Sequence, residues 1–125
     1  MAGKKKNNST TSDLLAEIIV KGIEEKKGEN ITSLNLKNIK SAICDYFIIC
    51  DANSKTQVEA ICESIETEVK KAIGLRPHHI EGIGNSEWVL LDYFDIIVHV
   101  FLKESREFYK LESTWADAEF KRYQN

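Results

Sequence analysis

One long apolar stretch, residues 87–102, constrains the fold more than any other part of the chain. It is rich in β-branched and aromatic residues, which favour strands, and a polar step from Asp92 to Asp95 divides it in two. Side chains of a strand point alternately to opposite faces of its sheet. We therefore predict two consecutive strands, each with one aliphatic or tyrosyl face that belongs to the core. The core-facing residues are Val89, Leu91 and Tyr93 in the first strand and Ile96, Val98, Val100 and Leu102 in the second.

The opposite face of this predicted hairpin is chemically mixed. It carries Trp88, Leu90, Asp92, Asp95, His99 and Phe101. An aromatic residue inside a polar rim is typical of a protein interface. The spacing fits a second arrangement equally well, in which helices cover both faces of the sheet and Trp88 is a core residue. The pattern alone leaves both arrangements open.

Leucine and isoleucine residues at three- and four-residue spacing predict a first helix over residues 13–27. Ser12 or Asp13 is placed to cap its start, because either side chain can accept from the unpaired N–H groups of the first turn. Gly28 is placed to end it in the left-handed conformation. Residues 1–11 have no apolar periodicity, which predicts a disordered basic tail. Weak contact of its lysines with RNA is an alternative to a purely solvated tail.

The second predicted helix has the clearest boundaries. Ser54 and Gln57 stand at capping-box spacing, and Gly74 followed by Pro77 is a stop signal. Further strands are predicted over residues 31–36, 46–50 and 78–81, and a final helix over residues 112–120 with Trp115 facing inward. This order predicts an α/β protein in which one mixed sheet is flanked by helices.

Length and composition indicate one globular domain. The chain has 125 residues, of which 42% are hydrophobic and 30% charged. No apolar run approaches the ~20 residues of a membrane span, and the N-terminus lacks the apolar region of a secretory signal, so we expect a cytoplasmic protein without membrane contact. Without Lys4, Lys5 and Lys6, the net charge of −3 becomes about −6. A folded domain with this negative charge is repelled by nucleic-acid phosphates, and its field favours encounter with a basic protein partner.

The spacing of acidic and histidine residues argues against metal-dependent chemistry. Two-metal catalysis needs carboxylates that converge on ions about 4 Å apart, which on one strand means residues two apart. Asp92 and Asp95 are three apart, and Asp45 and Asp51 lie at opposite ends of a predicted strand. The adjacent histidines at 78–79 point to opposite faces of a strand. We therefore expect neither a metal ion nor a cofactor.

Other catalytic motifs are not matched. The loop over residues 51–54 precedes a helix but lacks the glycines of a phosphate loop, which favours a simple helix cap. No nucleophile elbow accompanies His99. The cysteines, Cys44, Cys50 and Cys62, are odd in number and without close pairs. This pattern argues against a disulfide framework or a zinc site and favours small buried hydrophobic residues.

Five short motifs follow one another along the chain. They are Asp45-Tyr-Phe-Ile-Ile-Cys, Ile80-Glu-Gly, Glu87-Trp-Val-Leu-Leu-Asp, Asp95-Ile-Ile-Val-His-Val-Phe and Arg106-Glu-Phe-Tyr-Lys-Leu-Glu. In this order they resemble the ribosomal silencing factor (Iojap) family, over about residues 13–118. Two positions depart from it. A Thr-Gly-Thr-Ser-like turn of the family is replaced by residues 51–54 here, and Phe94 stands where the family usually has glycine, which is unfavourable for a glycine-type turn.

The resemblance implies a nucleotidyltransferase-like α/β fold without the catalytic carboxylates, in a domain over residues 12–120 followed by a C-terminal tail over residues 121–125. It also implies a role that is not enzymatic. The family binds the large ribosomal subunit through large-subunit ribosomal protein fourteen, blocks association with the small subunit and so represses translation. Homodimer formation in isolation is a further implication.

The resemblance also implies a binding surface. Carried over residue by residue, it makes Trp88 the anchor on the ribosomal protein. The residues expected around it on the same face are Leu90, Asp92, His99 and Phe101. Arg106 and Tyr109 follow the second strand and either border this surface or pack against the hairpin.

Two alternative functions stay open. The first is an assembly factor of the large subunit that uses the same surface. The second is a nucleotide-binding enzyme that depends on magnesium and on Asp92 or Asp95.

Overall fold

A six-stranded sheet forms the centre of the protein. The computed structural model describes the backbone of residues 2–123 and the side chains of residues 11–123. The strands are β1 (Glu29–Asn35), β2 (Tyr46–Ala52), β3 (His79–Glu81), β4 (Trp88–Asp92), β5 (Ile96–Leu102) and β6 (Glu119–Arg122). They lie in the order β3-β4-β5-β2-β1-β6. β2 and β5 are parallel, and the other neighbouring strands are antiparallel.

Four helices accompany this sheet within residues 2–123. They are α1 (Ala2–Glu25), α2 (Lys55–Ile73), α3 (Lys103–Tyr109) and α4 (Leu111–Thr114). The predicted α/β class, with one mixed sheet flanked by helices, is confirmed. Of the helices in the described part of the chain, none is long and apolar enough to cross a membrane.

The main core lies between the sheet and the helix pair α1–α2. The aliphatic face of the β4–β5 hairpin belongs to this core, as the alternation predicts; Val89, Leu91 and Val98 are fully buried there. Gly22 lets the helices approach closely, because an added Cβ would lie 3.1 Å from the Ile65 Cα atom. Close packing between these helices therefore explains a glycine that lowers helix propensity.

A smaller apolar cluster lies on the other face of the sheet. Phe47, Ile97 and Phe101 contribute to it from the strands, and Trp115 from the segment after α4 packs against it. The Trp115 ring meets the Phe47 ring edge-on, with centroids 5.6 Å apart. The predicted inward orientation of Trp115 is therefore confirmed, and the mixed face of the hairpin is partly covered.

The start of α1 differs from the prediction. The helix begins at Ala2 and not near Asp13, so the backbone of residues 2–11, expected as a disordered tail, is helical; Met1 lies outside the described residues. Ser12 is consequently inside the helix and is not its cap. Its hydroxyl donates to the Asp45 carboxylate at 3.1 Å, and the Asp13 carboxylate accepts from the Tyr46 hydroxyl at 2.9 Å. These two bonds connect α1 to the start of β2.

The end of α1 was also predicted wrongly in detail. Lys27, and not Gly28, adopts the left-handed conformation, with φ of 61°. Gly28 is required for a different reason, because a Cβ atom there would lie 2.4 Å from Cγ2 of Ile23. The Gly28 N–H donates to the Ile23 carbonyl at 3.0 Å and closes the helix.

The predicted boundaries of α2 are confirmed. The Ser54 hydroxyl accepts from the Gln57 N–H at 3.1 Å, and Gly74 ends the helix with φ of 70°. The Gln57 side chain reaches back one residue further than in a simple capping box, because its oxygen accepts from the Asn53 N–H at 2.9 Å.

The C-terminal segment differs most from the prediction. The helix expected over residues 112–120 is only the short α4, and the chain then forms β6. This strand pairs with β1, where Leu34 faces Phe120 and Thr32 faces Arg122. Residues 121 and 122, expected in a tail, therefore belong to the sheet, because β1 offers them an unpaired edge; residues 124–125 lie outside the described part.

Candidate functional site

Trp88 is held against the sheet by its neighbour on β5. It faces Phe101 across the β4–β5 ladder, and the two rings are stacked with centroids 4.8 Å apart. The indole N–H donates to Nδ1 of His99 at 3.0 Å. Trp88 is half-buried as a result. Its outer part is accessible, while its inner part is fixed by the strands.

The exposed aromatic surface continues onto α3. The Tyr109 ring lies 4.9 Å from the Trp88 ring, and the Phe108 ring meets Tyr109 edge-on at 5.0 Å. Phe108 is 79% exposed and Tyr109 is 51% exposed. We call Trp88, Phe108 and Tyr109 the aromatic patch. The sequence analysis did not select Phe108, although two adjacent aromatic residues on a short helix cannot both face the sheet.

Two of the residues expected around Trp88 lie beneath it. His99 is 3% exposed and Phe101 is fully buried, so neither can meet a partner directly. Burial lowers the pKa of His99 to about 3, and the ring is therefore neutral at physiological pH. Since Nδ1 accepts from Trp88, the proton is on Nε2, which has no hydrogen-bond partner within the described part. Both residues position Trp88 from behind.

Leu90 and Asp92 follow Trp88 on the same face of β4 and are both half-buried. Leu90 lies opposite His99 on the ladder. The Asp92 carboxylate accepts from the Phe94 N–H at 2.8 Å and so stabilises the hairpin turn. Phe94 adopts φ of 70° in this turn, the left-handed conformation that glycine would occupy without strain.

Arg106 anchors α3 to the sheet. Its guanidinium pairs with the carboxylates of Asp51 at 3.0 Å and Glu112 at 2.7 Å. It also donates to the carbonyl of Asn30 at 2.6 Å. The Arg106 side chain is only 11% exposed. Of the two roles predicted for it, packing describes its position, whereas Tyr109 borders Trp88.

Among the described residues, no group of three His, Cys, Asp or Glu side chains could hold a metal ion. The three thiols are free; Cys50 and Cys62 are buried, as predicted, whereas Cys44 is only half-buried and that part of the prediction is wrong. Burial raises the pKa of Cys44 to about 11 and that of Cys62 to about 12, so both stay protonated.

Comparison with known proteins supplies the family. A family model described as ribosomal silencing factor during starvation matches residues 8–125. The chain belongs to the ribosomal silencing factor family. A ribosomal silencing factor RsfS of Halalkalibacterium halodurans is 40% identical over 83% of this chain and 87% of its own length. A crystal structure of a Chromobacterium violaceum protein superposes with a TM-score of 0.78 at 30% identity, covering 83% of this chain and 85% of that one.

A more distant relative bears a different name. Mitochondrial assembly of ribosomal large subunit protein 1 of Mus musculus is 31% identical over 57% of this chain and 32% of its own length. Three of the five motifs that carry the resemblance are neighbours in the fold: Glu87-Trp-Val-Leu-Leu-Asp contains β4, Asp95-Ile-Ile-Val-His-Val-Phe contains most of β5, and Arg106-Glu-Phe-Tyr lies on α3, which follows β5.

Proposed function

We propose that this protein represses translation by binding the large ribosomal subunit through large-subunit ribosomal protein fourteen. Bound there, it blocks association with the small subunit by occupying space, without a chemical step. The observation that carries the proposal is the aromatic patch, which lies on the motifs shared with the silencing factor family.

The geometry of the patch suits an interface hot spot. Such sites are enriched in Trp and Tyr and combine an exposed contact area with rigid support. Trp88 is fixed by stacking on Phe101 and by its bond to His99. Little side-chain freedom is therefore lost when the indole enters a partner pocket, which lowers the entropic cost of binding.

Charge supports a protein partner more than an RNA partner at this surface. Glu104 on α3 is exposed, and Glu87 beside Trp88 is half-buried. Together with the net charge of −3, these carboxylates favour encounter with a basic protein surface.

The proposal is tested by sedimentation with purified ribosomal subunits. The protein is expected to pellet with large subunits and not with small subunits. Added to a mixture of both, it is expected to lower the fraction of joined ribosomes in a sucrose gradient. Joining at an unchanged level, with the protein bound to large subunits, would contradict the blocking mechanism; failure to pellet would contradict binding.

A second candidate is a role in assembly of the large subunit. The name of the mouse relative favours it. This role predicts that cells lacking the protein accumulate precursors of the large subunit during growth. Silencing predicts normal subunits and unrestrained subunit joining when nutrients are scarce.

Two further features belong to the proposal. The protein is expected to work in the cytoplasm, where subunits join, and to form a homodimer in isolation. Light scattering of the purified chain measures the second expectation directly, and a monomeric mass at micromolar concentration would contradict it.

A further inference from the structure

A polar cleft of about 740 Å³ lies between α3, the ends of β1 and β2, and the last residues of β6. This volume is typical of pockets that hold a small molecule. Its floor contains Thr32, Asp51 and Arg106, and its rim carries Lys103, Lys110 and Arg122. The cleft is lined by the positively charged residues of α3, whereas Tyr109 of the same helix contacts Trp88.

The floor of the cleft is rigid. Arg106 makes charge-assisted bonds to Asp51 and Glu112, and its second terminal nitrogen lies 3.3 Å from the Thr32 hydroxyl. Asn30 also donates to the Asp51 carboxylate at 3.3 Å. Arg106 is therefore fixed by several bonds at once, and a ligand would meet a preformed surface.

The cations of the rim are not committed in the same way. Lys103, Lys110 and Arg122 form no ion pair with any side chain that the structure describes, although Glu107 also lines the cleft. The lining has four cations, Lys103, Arg106, Lys110 and Arg122, against three carboxylates, Asp51, Glu107 and Glu112. The cleft thus has a net charge of +1 in a chain whose net charge is −3.

We propose that this cleft binds a small phosphate ester. Lysine and arginine at the rim are the donors that phosphate oxygens prefer. The Ser113 hydroxyl also lines the cleft and is placed to bind the polar remainder of such a molecule. A concave site in an otherwise acidic protein favours a small ligand over a long polyanion, because a polyanion would also meet the repulsive surface around it.

The proposal concerns binding only and does not rest on the proposed function. It involves neither Asp92 nor Asp95, the residues of the enzyme alternative, since neither lines the cleft. It also leaves the aromatic patch untouched, so ribosome binding and ester binding can fail separately.

Isothermal titration of the full chain with ADP, ribose 5-phosphate and inorganic phosphate tests it. The decisive variant is the double substitution Lys103→Gln with Lys110→Gln. The matched control is Lys21→Gln with Lys40→Gln, which removes the same charge from exposed positions that do not line the cleft. Circular dichroism shows that each variant is folded.

At least one ester is expected to bind saturably and to be displaced by inorganic phosphate. Binding should weaken by about tenfold or more in the cleft variant, as expected for lost charge-assisted hydrogen bonds, and stay unchanged in the control. No binding at millimolar ester, or equal weakening in both variants, would overturn the proposal. A parallel titration with single-stranded RNA separates the sources of phosphate, and binding of RNA without any ester would overturn it as well.

Discussion

The indole of Trp88 is fixed by three neighbours of different kinds. Phe101 stacks on it from β5, His99 accepts its N–H, and the Tyr109 ring covers part of it from α3. Aromatic pairs of this geometry add about 0.5–1.5 kcal/mol each beyond burial of their area. The sequence left open whether Trp88 is a core residue or an interface residue. In the structure its inner part packs on the sheet and its outer part is accessible.

The pH dependence of stability tests the state of His99. Burial holds its pKa at about 3 in the folded protein, below the ordinary value of 6.5. Between these values the unfolded chain binds more protons than the folded chain, so the free energy of unfolding falls as pH is lowered through this range. His99→Gln keeps an acceptor for Trp88 but does not titrate, and its stability should fall less between pH 6.5 and pH 4. Urea unfolding at each pH measures the difference, and parallel pH profiles for the two proteins would show that His99 is not buried in its neutral form.

Phe94 offers a test of backbone strain. A non-glycine residue in the left-handed conformation costs roughly 1–2 kcal/mol, and Phe94 has φ of 70°. Phe94→Gly should therefore be more stable than Phe94→Ala by about 1 kcal/mol, since both lose the ring contact with His78 and only glycine relieves the strain. Chemical denaturation compares the two. Equal stability of the glycine and alanine variants would mean that the turn relaxes without cost.

At this scale the sequence predicted alternation well and accessibility poorly. Val89 and Leu91 are core residues, as a period of two requires. His99 and Phe101 were assigned to the mixed face correctly, but the same period could not reveal that Trp88 and the segment around Trp115 cover them. Accessibility depends on which distant segment lies on top, and local spacing carries no information about that.

Among the elements, α3 has two roles, one on each side of the helix: it extends the aromatic patch and it is anchored to the sheet. Tyr109 and Phe108 extend the aromatic patch, while Arg106 holds the helix against β1 and β2. A helix as short as Lys103–Tyr109 is not stable alone. Its position therefore depends on the Arg106 contacts, and the patch depends on them too.

A double-mutant cycle measures this anchor. Arg106→Ala leaves the Asp51 carboxylate, 5% exposed, without its cation and should lower the free energy of unfolding by about 3 kcal/mol or more. Asp51→Asn combined with Arg106→Ala should cost less than the sum of the two single substitutions, because no buried charge is then left unpaired. Denaturant unfolding of the four proteins gives the coupling energy, and simple additivity would exclude a direct ion pair.

The elements at the chain ends show where local patterns fail. α2 was predicted from its cap and stop residues because both signals lie within the helix itself. β6 was missed because Glu119–Arg122 becomes a strand by pairing with β1, far away in the sequence. A four-residue segment is too short for its periodicity to indicate a strand or the strand with which it pairs.

On the scale of the whole molecule, the sheet has two unequal sides. α1 and α2 pack on the central strands of one side, and α3, α4 and the segment up to β6 cover the other side in part. The aromatic patch lies on this second side, beside the part of the sheet that α3 and the segment up to β6 cover. An acidic chain with such a patch is suited to bind another protein, and family membership points to the ribosome.

Affinity for purified large ribosomal subunits, measured for single variants of the aromatic patch, tests the central claim most directly. Phe108→Ala is the most informative variant, because its side chain is 79% exposed and its removal should disturb the fold little. Ile43→Ala, at an 85% exposed position outside the patch, is the control. Trp88→Ala is expected to weaken binding by about 2 kcal/mol or more and Phe108→Ala by about 1 kcal/mol or more. The control should bind like the unaltered protein, with circular dichroism unchanged throughout. Unaltered affinity in both patch variants would contradict the assignment of this surface.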